Sequence, residues 1–246
     1  MKIILSGIGG HMGREVLALA EKGVRNAIIS MGIDKMGYDG NIPTASDYAA
    51  APADGDVIVD FSHHSVTAEL LDYAVVHSLP LVLATTGQTD EEKALIKQAS
   101  EKIPLFFASN FSLGVALLIG LAKKTAEVMK GADIEIIETH HVRKVDAPSG
   151  TALSIAEGIR EVRPELTVNC GRSGFGKREE NEIGISSVRM GNIVGIHEVR
   201  VCTDNQCITL KHEAFSRALF AEGALAAAEF IIGKPNGLYD MKAMIE

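Results

Sequence analysis

A short apolar strand that runs straight into a cluster of glycines and then a helix is the feature that most limits what this chain can become. Lys2 to Ser6 reads as the strand, Gly7-Ile8-Gly9-Gly10-His11-Met12-Gly13 as the turn, and Met12 to Lys22 as the helix. Glycines at 7, 10 and 13 let the backbone turn tightly and come close to a ligand. The helix start offers N–H groups and the positive end of the peptide dipole, a natural seat for a diphosphate. The spacing is G-x-x-G-x-x-G, because Met12 stands where the stricter G-x-G-x-x-G pattern would place its last glycine.

An acidic residue should close the second strand about 20 residues on and hold a ribose. The second strand, Ala27 to Asp34, ends on Asp34, and Lys35 follows it. A carboxylate suits a free ribose and an ammonium suits a 2′-phosphate, so the pair leaves NADH and NADPH both open. His11 flanks the same turn. Asp56 to Ser62 is a third strand, apolar enough to be buried on both faces. Val66 to His77 reads as a helix, Pro80 to Thr85 as a strand, Asp90 to Lys102 as a helix and Pro104 to Ala108 as a fifth strand. Such alternation implies a parallel sheet covered by helices. Between Lys35 and Gly55, Gly and Pro leave only a short Ala-rich segment. Ligands of open parallel sheets lie across the carboxyl ends of the strands. Ala84-Thr85-Thr86-Gly87 and Ala108-Ser109-Asn110-Phe111, at the ends of the fourth and fifth strands, are therefore candidates to line the nicotinamide half of the cofactor.

After Asn110 the pattern changes. A long helix from Leu113 to Met129 precedes a strand at Asp133 to Glu138 and a helix from Thr151 to Val162. Polar–apolar alternation at Glu198–Val201 and Ile208–Lys211 predicts an antiparallel or mixed sheet with one wet face. A closing helix spans Ser216 to Ile232. A length of 246 residues allows one or two domains. A net charge of −8 without a basic patch argues against nucleic acid. Val115–Ala122 and Ala224–Gly233 are too short or too interrupted to span a membrane, and Lys2–Leu5 is too short for a signal peptide. Cys170, Cys202 and Cys207 form no C-x-x-C pair and read as reduced thiols of a cytosolic protein. Gly171 to Lys177 fits G-x-x-x-x-G-K, but Arg178 stands where a P-loop needs Ser or Thr. The charge run Lys177 to Glu182 reads as a mobile surface loop.

The most informative stretch runs from Glu138 to Ala152, Glu-Thr-His-His-Val-Arg-Lys-Val-Asp-Ala-Pro-Ser-Gly-Thr-Ala. It leaves a strand and enters a helix. Ser149 can cap that helix, and the N–H groups of Gly150 and Thr151 then face outward toward an anion. His140, His141 and Lys144 lie just upstream. Proton donors and an anion seat within a dozen residues suit proton-coupled chemistry on a small, multiply charged carboxylate. A metal is not expected: adjacent residues on an extended chain point to opposite sides, and no third soft ligand is spaced to help.

This stretch resembles the signature E-x-H-H-x-x-K-x-D-A-P-S-G-T-A of the 4-hydroxy-tetrahydrodipicolinate reductase family, also called dihydrodipicolinate reductases. The likeness extends to Gly7–Gly13, Asp60-Phe61-Ser62, Thr85-Thr86-Gly87, Asn110-Phe111-Ser112, Ser187-Val188-Arg189, Ile193-Val194-Gly195-x-His197 and Ser216-Arg217. It implies an α/β fold: an N-terminal Rossmann-like doubly wound parallel sheet (1–111, rejoined by 216–246) and a C-terminal α+β domain (112–215). The latter would bind substrate through a mixed-sheet scaffold and build a homotetramer, with closure about hinges near Ser112 and Ser216. Carried over by resemblance, His140 is the proton donor and acceptor and Lys144 a second proton donor. His141, Ser149, Gly150 and Thr151 hold the substrate. Gly7, Ile8, Gly9, Gly10, His11, Met12, Asp34, Lys35, Ala84, Thr85, Thr86, Ala108, Ser109, Asn110 and Phe111 contact NADPH or NADH. Ala84 replaces a glycine common in the family, and Asp34-Lys35 replaces a Glu-Arg pair. The implied setting is cytoplasmic lysine and diaminopimelate biosynthesis, with a small dicarboxylate substrate. Rival readings are another two-domain nicotinamide reductase, such as an amino-acid dehydrogenase, and a non-catalytic NAD(P)H sensor. The His-His-x-x-Lys and Ser-Gly-Thr pairing argues against the first, and the second would not need His140 or Lys144.

Overall fold

The computed structural model describes residues 1–245 and divides into two compact units, Met1–Ser112 with the stretch from Ala218 onward, and Leu113–Arg217. In chain order, the first unit supplies β1 (Lys2–Ser6), α1 (His11–Glu21), β2 (Ile28–Ile33), β3 (Thr44–Ala45), β4 (Val57–Asp60), α2 (Thr67–Val76), β5 (Leu81–Leu83), α3 (Asp90–Ser100) and β6 (Pro104–Phe107). The second supplies α4 (Leu113–Val128), β7 (Asp133–His140), α5 (Gly150–Arg160), β8 (Thr167–Cys170), β9 (Glu182–Arg189), β10 (Gly195–Thr203) and β11 (Gln206–Ala214). The chain then returns to the first unit with α6 (Ala218–Ile231), β12 (Gly237–Tyr239) and α7 (Met241–Ile245).

The first sheet has the order β12-β6-β5-β4-β1-β2-β3, and all its pairs are parallel. Its inner strands are apolar on both faces, and Val57, Ile58 and Val59 have no exposed surface. Helices on the two sides shield them, as a parallel sheet requires. α3 begins with a full capping box, in which Thr89 accepts from the N–H of Glu92 and Glu92 accepts from the N–H of Thr89. Between β2 and β4 no helix forms, and β3 is a two-residue strand that the sequence does not foreshadow.

The second sheet is mixed, with the order β11-β10-β7-β9-β8. β10 pairs antiparallel with β7 and β11, whereas β9 pairs parallel with β7 and β8. α5 buries Ala152, Ile155, Ala156 and Ile159, the i, i+3, i+4, i+7 stripe, against one face of this sheet. Two expectations are corrected. Cys202 and Cys207 face each other in the β10–β11 register and are joined by a disulfide, which leaves Cys170 as the free thiol. The charge run is partly anchored: Arg178 reaches Asp133 Oδ1 (2.7 Å) and Glu135 Oε1 (3.3 Å), and Glu182 is a buried residue of β9.

Candidate functional site

In the first unit the turn after β1 is shaped by backbone. Gly7 has φ +78°, and a Cβ there would lie 2.5 Å from the Phe61 carbonyl oxygen; a Cβ on Gly13 would lie 2.1 Å from the Gly7 carbonyl. Any side chain would push the turn apart. Gly10 caps α1 with no side-chain bond, so the helix opens on bare backbone. Asp34 follows β2 and accepts from the N–H of Gly9 (2.9 Å) and of Met36 (2.9 Å), which places a carboxylate against the glycine turn. One cleft is lined by Gly7, Gly10, Asp34, Lys35, Ser46 and His63, among others. A second, beyond the tips of β4, β5 and β6, is lined by Met12, Ala84, Thr85, Thr86, Ser109, Asn110 and Phe111 among others. Gly9 lines a third, with Arg14 and Tyr38. Ile8 is wholly buried and can offer a ligand only its backbone. His11 is exposed on the first turn of α1, and Ala108 is half-buried at the end of β6.

Beneath these clefts lies Asp60, the last residue of β4, only 1% exposed. Its carboxyl accepts from Thr85 Oγ1 (2.6 Å), Ser62 Oγ (2.5 Å) and Ser62 N–H (3.2 Å). Burial pushes its pKa above the usual carboxylate range, against those hydrogen bonds. The network ties the strand ends at Ser62 and Thr85 together. Tyr48, bonded to Ser6 at 2.8 Å, is likewise pushed up by burial and then by Asp60.

In the second unit the strand reaches His140, two residues further than the sequence predicted. Strand parity therefore aims His140 inward with Ile134, Ile136 and Glu138. Glu138 is fully buried and receives donors on both oxygens. His140 Nδ1 lies 2.5 Å from Oε2, Arg189 donates to Oε2 (2.9 Å) and Oε1 (2.8 Å), and the N–H of Ser149 donates to Oε1 (3.1 Å). Burial alone would raise its pKa, but bonds from Arg189, Ser187 and His140 outweigh it and hold the group at about 2. The ring of His197, on the neighbouring β10, packs edge-on against His140 at 5.2 Å and bonds Ser149 Oγ through Nε2 at 3.1 Å. Burial, then the charge of His140, lower its pKa to about 4.

Ser149 caps α5 through the N–H of Ala152 (3.2 Å), and Gly150 opens the helix at an exposed position with Thr151 next to it. Lys144 pairs with Asp146 at 2.8 Å, and the Asp146 carbonyl accepts from Arg189 at 2.7 Å. His141 follows β7 at a half-buried position, and burial followed by nearby cations lowers its pKa. The turn thus gathers His140, Lys144, Ser149 and Gly150 around one buried ion pair. Glu138, Arg189 and His197 appear in the sequence only as matches to the family pattern, with no role attached. The inward parity of Ile134, Ile136, Glu138 and His140 was the signal that could have found the first; the other two depend on strand pairing. Among the described residues no group of three or more His, Cys, Asp or Glu is placed to hold a metal, and no helix is long and apolar enough to cross a membrane.

The glycine turn, a carboxylate beside it and strand-tip hydroxyls define an oxidoreductase that draws on a nicotinamide nucleotide. That class is wide, and the segment between β7 and α5 narrows it. The chain belongs to the dihydrodipicolinate reductase family: the family's N-terminal model matches residues 1–111 and its C-terminal model residues 114–245. It is 42% identical to the 4-hydroxy-tetrahydrodipicolinate reductase of Caldanaerobacter subterraneus subsp. tengcongensis, over 100% of this chain and 98% of the relative. It is 42% identical to that of Clostridium tetani, over 100% and 97%. Its fold matches a solved structure described as dipicolinate-bound dihydrodipicolinate reductase from Paenisporosarcina sp. TG-14, with TM-score 0.83, 24% identity and coverage of 98% and 97%.

Proposed function

We propose that the chain catalyses the step its curated relatives are named for: 4-hydroxy-tetrahydrodipicolinate, NAD(P)H and a proton give tetrahydrodipicolinate, NAD(P)+ and water, within diaminopimelate and lysine biosynthesis. One observation carries the reading: an imidazole, an ammonium and a helix start are held on a single turn by a buried carboxylate–guanidinium pair.

The first unit fits a dinucleotide. Gly7 and Gly13 leave a cradle that side chains would fill, and Asp34 stands beside it. In this reading Gly7 to Met12, with Asp34 and Lys35, hold the adenosine and phosphate half. Ala84 to Thr86 and Ala108 to Phe111 hold the nicotinamide half. When bound, the reduced nicotinamide supplies a hydride. His140 holds the proton that goes to the ring carbon left electron-rich by reduction. Lys144 neutralises charge that develops on the ring and its carboxylate, exchanging Asp146 for substrate. Ser149, Gly150 and Thr151, with His141, seat a carboxylate at the start of α5. In this proposal residues 1–111 with 216–246 bind the dinucleotide and 112–215 bind substrate and form the contacts of a cytoplasmic homotetramer, as the family likeness implies.

The test is nicotinamide absorbance with NADH and NADPH side by side, with and without the fresh product of the preceding synthase. Oxidation that depends on that product is expected with at least one nucleotide. Nucleotide binding without any such oxidation would leave a sensor, not a reductase.

A further inference from the structure

We infer that Glu138, clamped by Arg189, is the positioning residue that fixes the Nδ1–H form of the His140 imidazole and reserves Nε2 for proton exchange; the second half of this rests on the reductase reading. A neutral imidazole has one donor and one acceptor nitrogen, and an ionised carboxylate can only accept. With Glu138 Oε2 at 2.5 Å from Nδ1, that nitrogen must be the donor. Glu138 stays ionised because the other groups on it donate: two arms of Arg189, the N–H of Ser149 and the Ser187 hydroxyl. Nε2 then looks toward Gly195, where an added Cβ would lie 3.1 Å away. A side chain at 195 would occupy the space that Nε2 faces.

The charged and titratable groups around His140 come from several elements. Glu138 is on β7, Arg189 on β9 and His197 on β10, and His141, Lys144 and Asp146 lie in the turn. Glu138 is the one bonded to Nδ1. Arg189 extends the arrangement, since its bond to the Asp146 carbonyl links the imidazole to the residue that pairs with Lys144. One guanidinium therefore sets the separation of both proposed proton donors.

Glu138→Gln makes the idea testable. Whichever way the amide turns, its NH2 meets one arm of Arg189; turned toward the Ser149 N–H it meets a second donor that cannot change, whereas turned toward His140 it meets a ring that can become an acceptor by moving its proton to Nε2. The substitution should therefore switch the tautomer. Ring 15N shifts of His140, from magic-angle-spinning spectra of histidine-labelled protein at a pH where the ring is neutral, should show Nδ1–H in the wild type and Nε2–H in Glu138→Gln. Turnover should fall ~10²-fold or more while KM for the dicarboxylate stays within about threefold. Glu138→Asp, which keeps an acceptor-only carboxylate, should restore the Nδ1–H form and recover about tenfold of the lost turnover. A wild-type ring carrying its proton on Nε2 would overturn the inference, and this reading needs no variant to fold. So would Glu138→Gln with the wild-type tautomer and turnover. Nδ1–H in a wild type that turns over no dicarboxylate would sink the reductase reading while leaving the role of Glu138 intact.

Discussion

Asp60 and Glu138 are both carboxylates sealed at or near the carboxyl ends of central strands, yet their partners give them opposite characters. Asp60 meets hydroxyls and one N–H, and burial keeps its pKa above the ordinary range. Glu138 meets a guanidinium through two bonds and is held at about 2. The first is a hydroxyl-bonded acceptor that knits strand tips beneath a nucleotide cleft. The second is a permanent charge that orients an imidazole. A buried acid in this protein is defined less by its depth than by whether a cation is buried with it.

The largest expected effect separates chemistry from nucleotide binding. His140→Ala and Lys144→Ala should each cut turnover by ~10²–10⁴-fold and leave cofactor affinity, measured by nicotinamide fluorescence, within about twofold. Near-normal turnover in both would remove the second unit from the chemistry. Next comes the contrast between the two acids. Glu138→Ala leaves Arg189 without its carboxylate and should cost about 3–5 kcal/mol in urea unfolding. Asp60→Asn can still accept from Ser62 and donate to Thr85, and should cost less than about 1 kcal/mol. Equal costs would erase the distinction.

The pH dependence of stability sharpens the same contrast. His197 is ordinarily protonated near 6.5 but is held at about 4, so the stability it confers on the neutral form is lost as pH falls between those values. Glu138, ordinarily near 4.5 and held at about 2, contributes stability that is complete above 4.5 and lost on the way to 2. Each is on the order of 3 kcal/mol at 1.36 kcal/mol per unit. Asp60 has the reverse sign: its raised pKa relieves the first unit as pH drops. Urea midpoints followed from pH 7 to 3 should therefore show acid loss from a reporter in the second unit before one in the first. The opposite order would contradict the assignment.

The first unit was far more legible than the second. Outside the stretch between β2 and β4 its strands alternate with helices, and β1, β4 and β6 fall within a residue or two of where apolar runs and turn residues put them. The exceptions are β3 and β12, two and three residues long, too brief to carry a pattern. In the second unit, β8 and β9 went unread. The run Glu182–Arg189 has Gly184, Ser186 and Ser187 in it and becomes a strand because β7 and β8 flank it. The family signature named His140 and Lys144 but was silent on what holds them, since Arg189 stands 51 positions from Glu138 and His197 48 from Ser149.

By itself, then, the amino-acid order determined what depends on neighbours along the chain: the glycine turn, the capped start of α5, the parity that sends Glu138 and His140 to one side. Backbone geometry and hydrogen-bond chemistry act over a few residues and leave their mark in short patterns. Which cation would meet Glu138, which hydroxyls would meet Asp60, and whether Cys202 and Cys207 would face each other were decided only by tertiary structure. Strand order and register have no local signature, and the low dielectric that makes those meetings matter exists only once the sheets have closed over them.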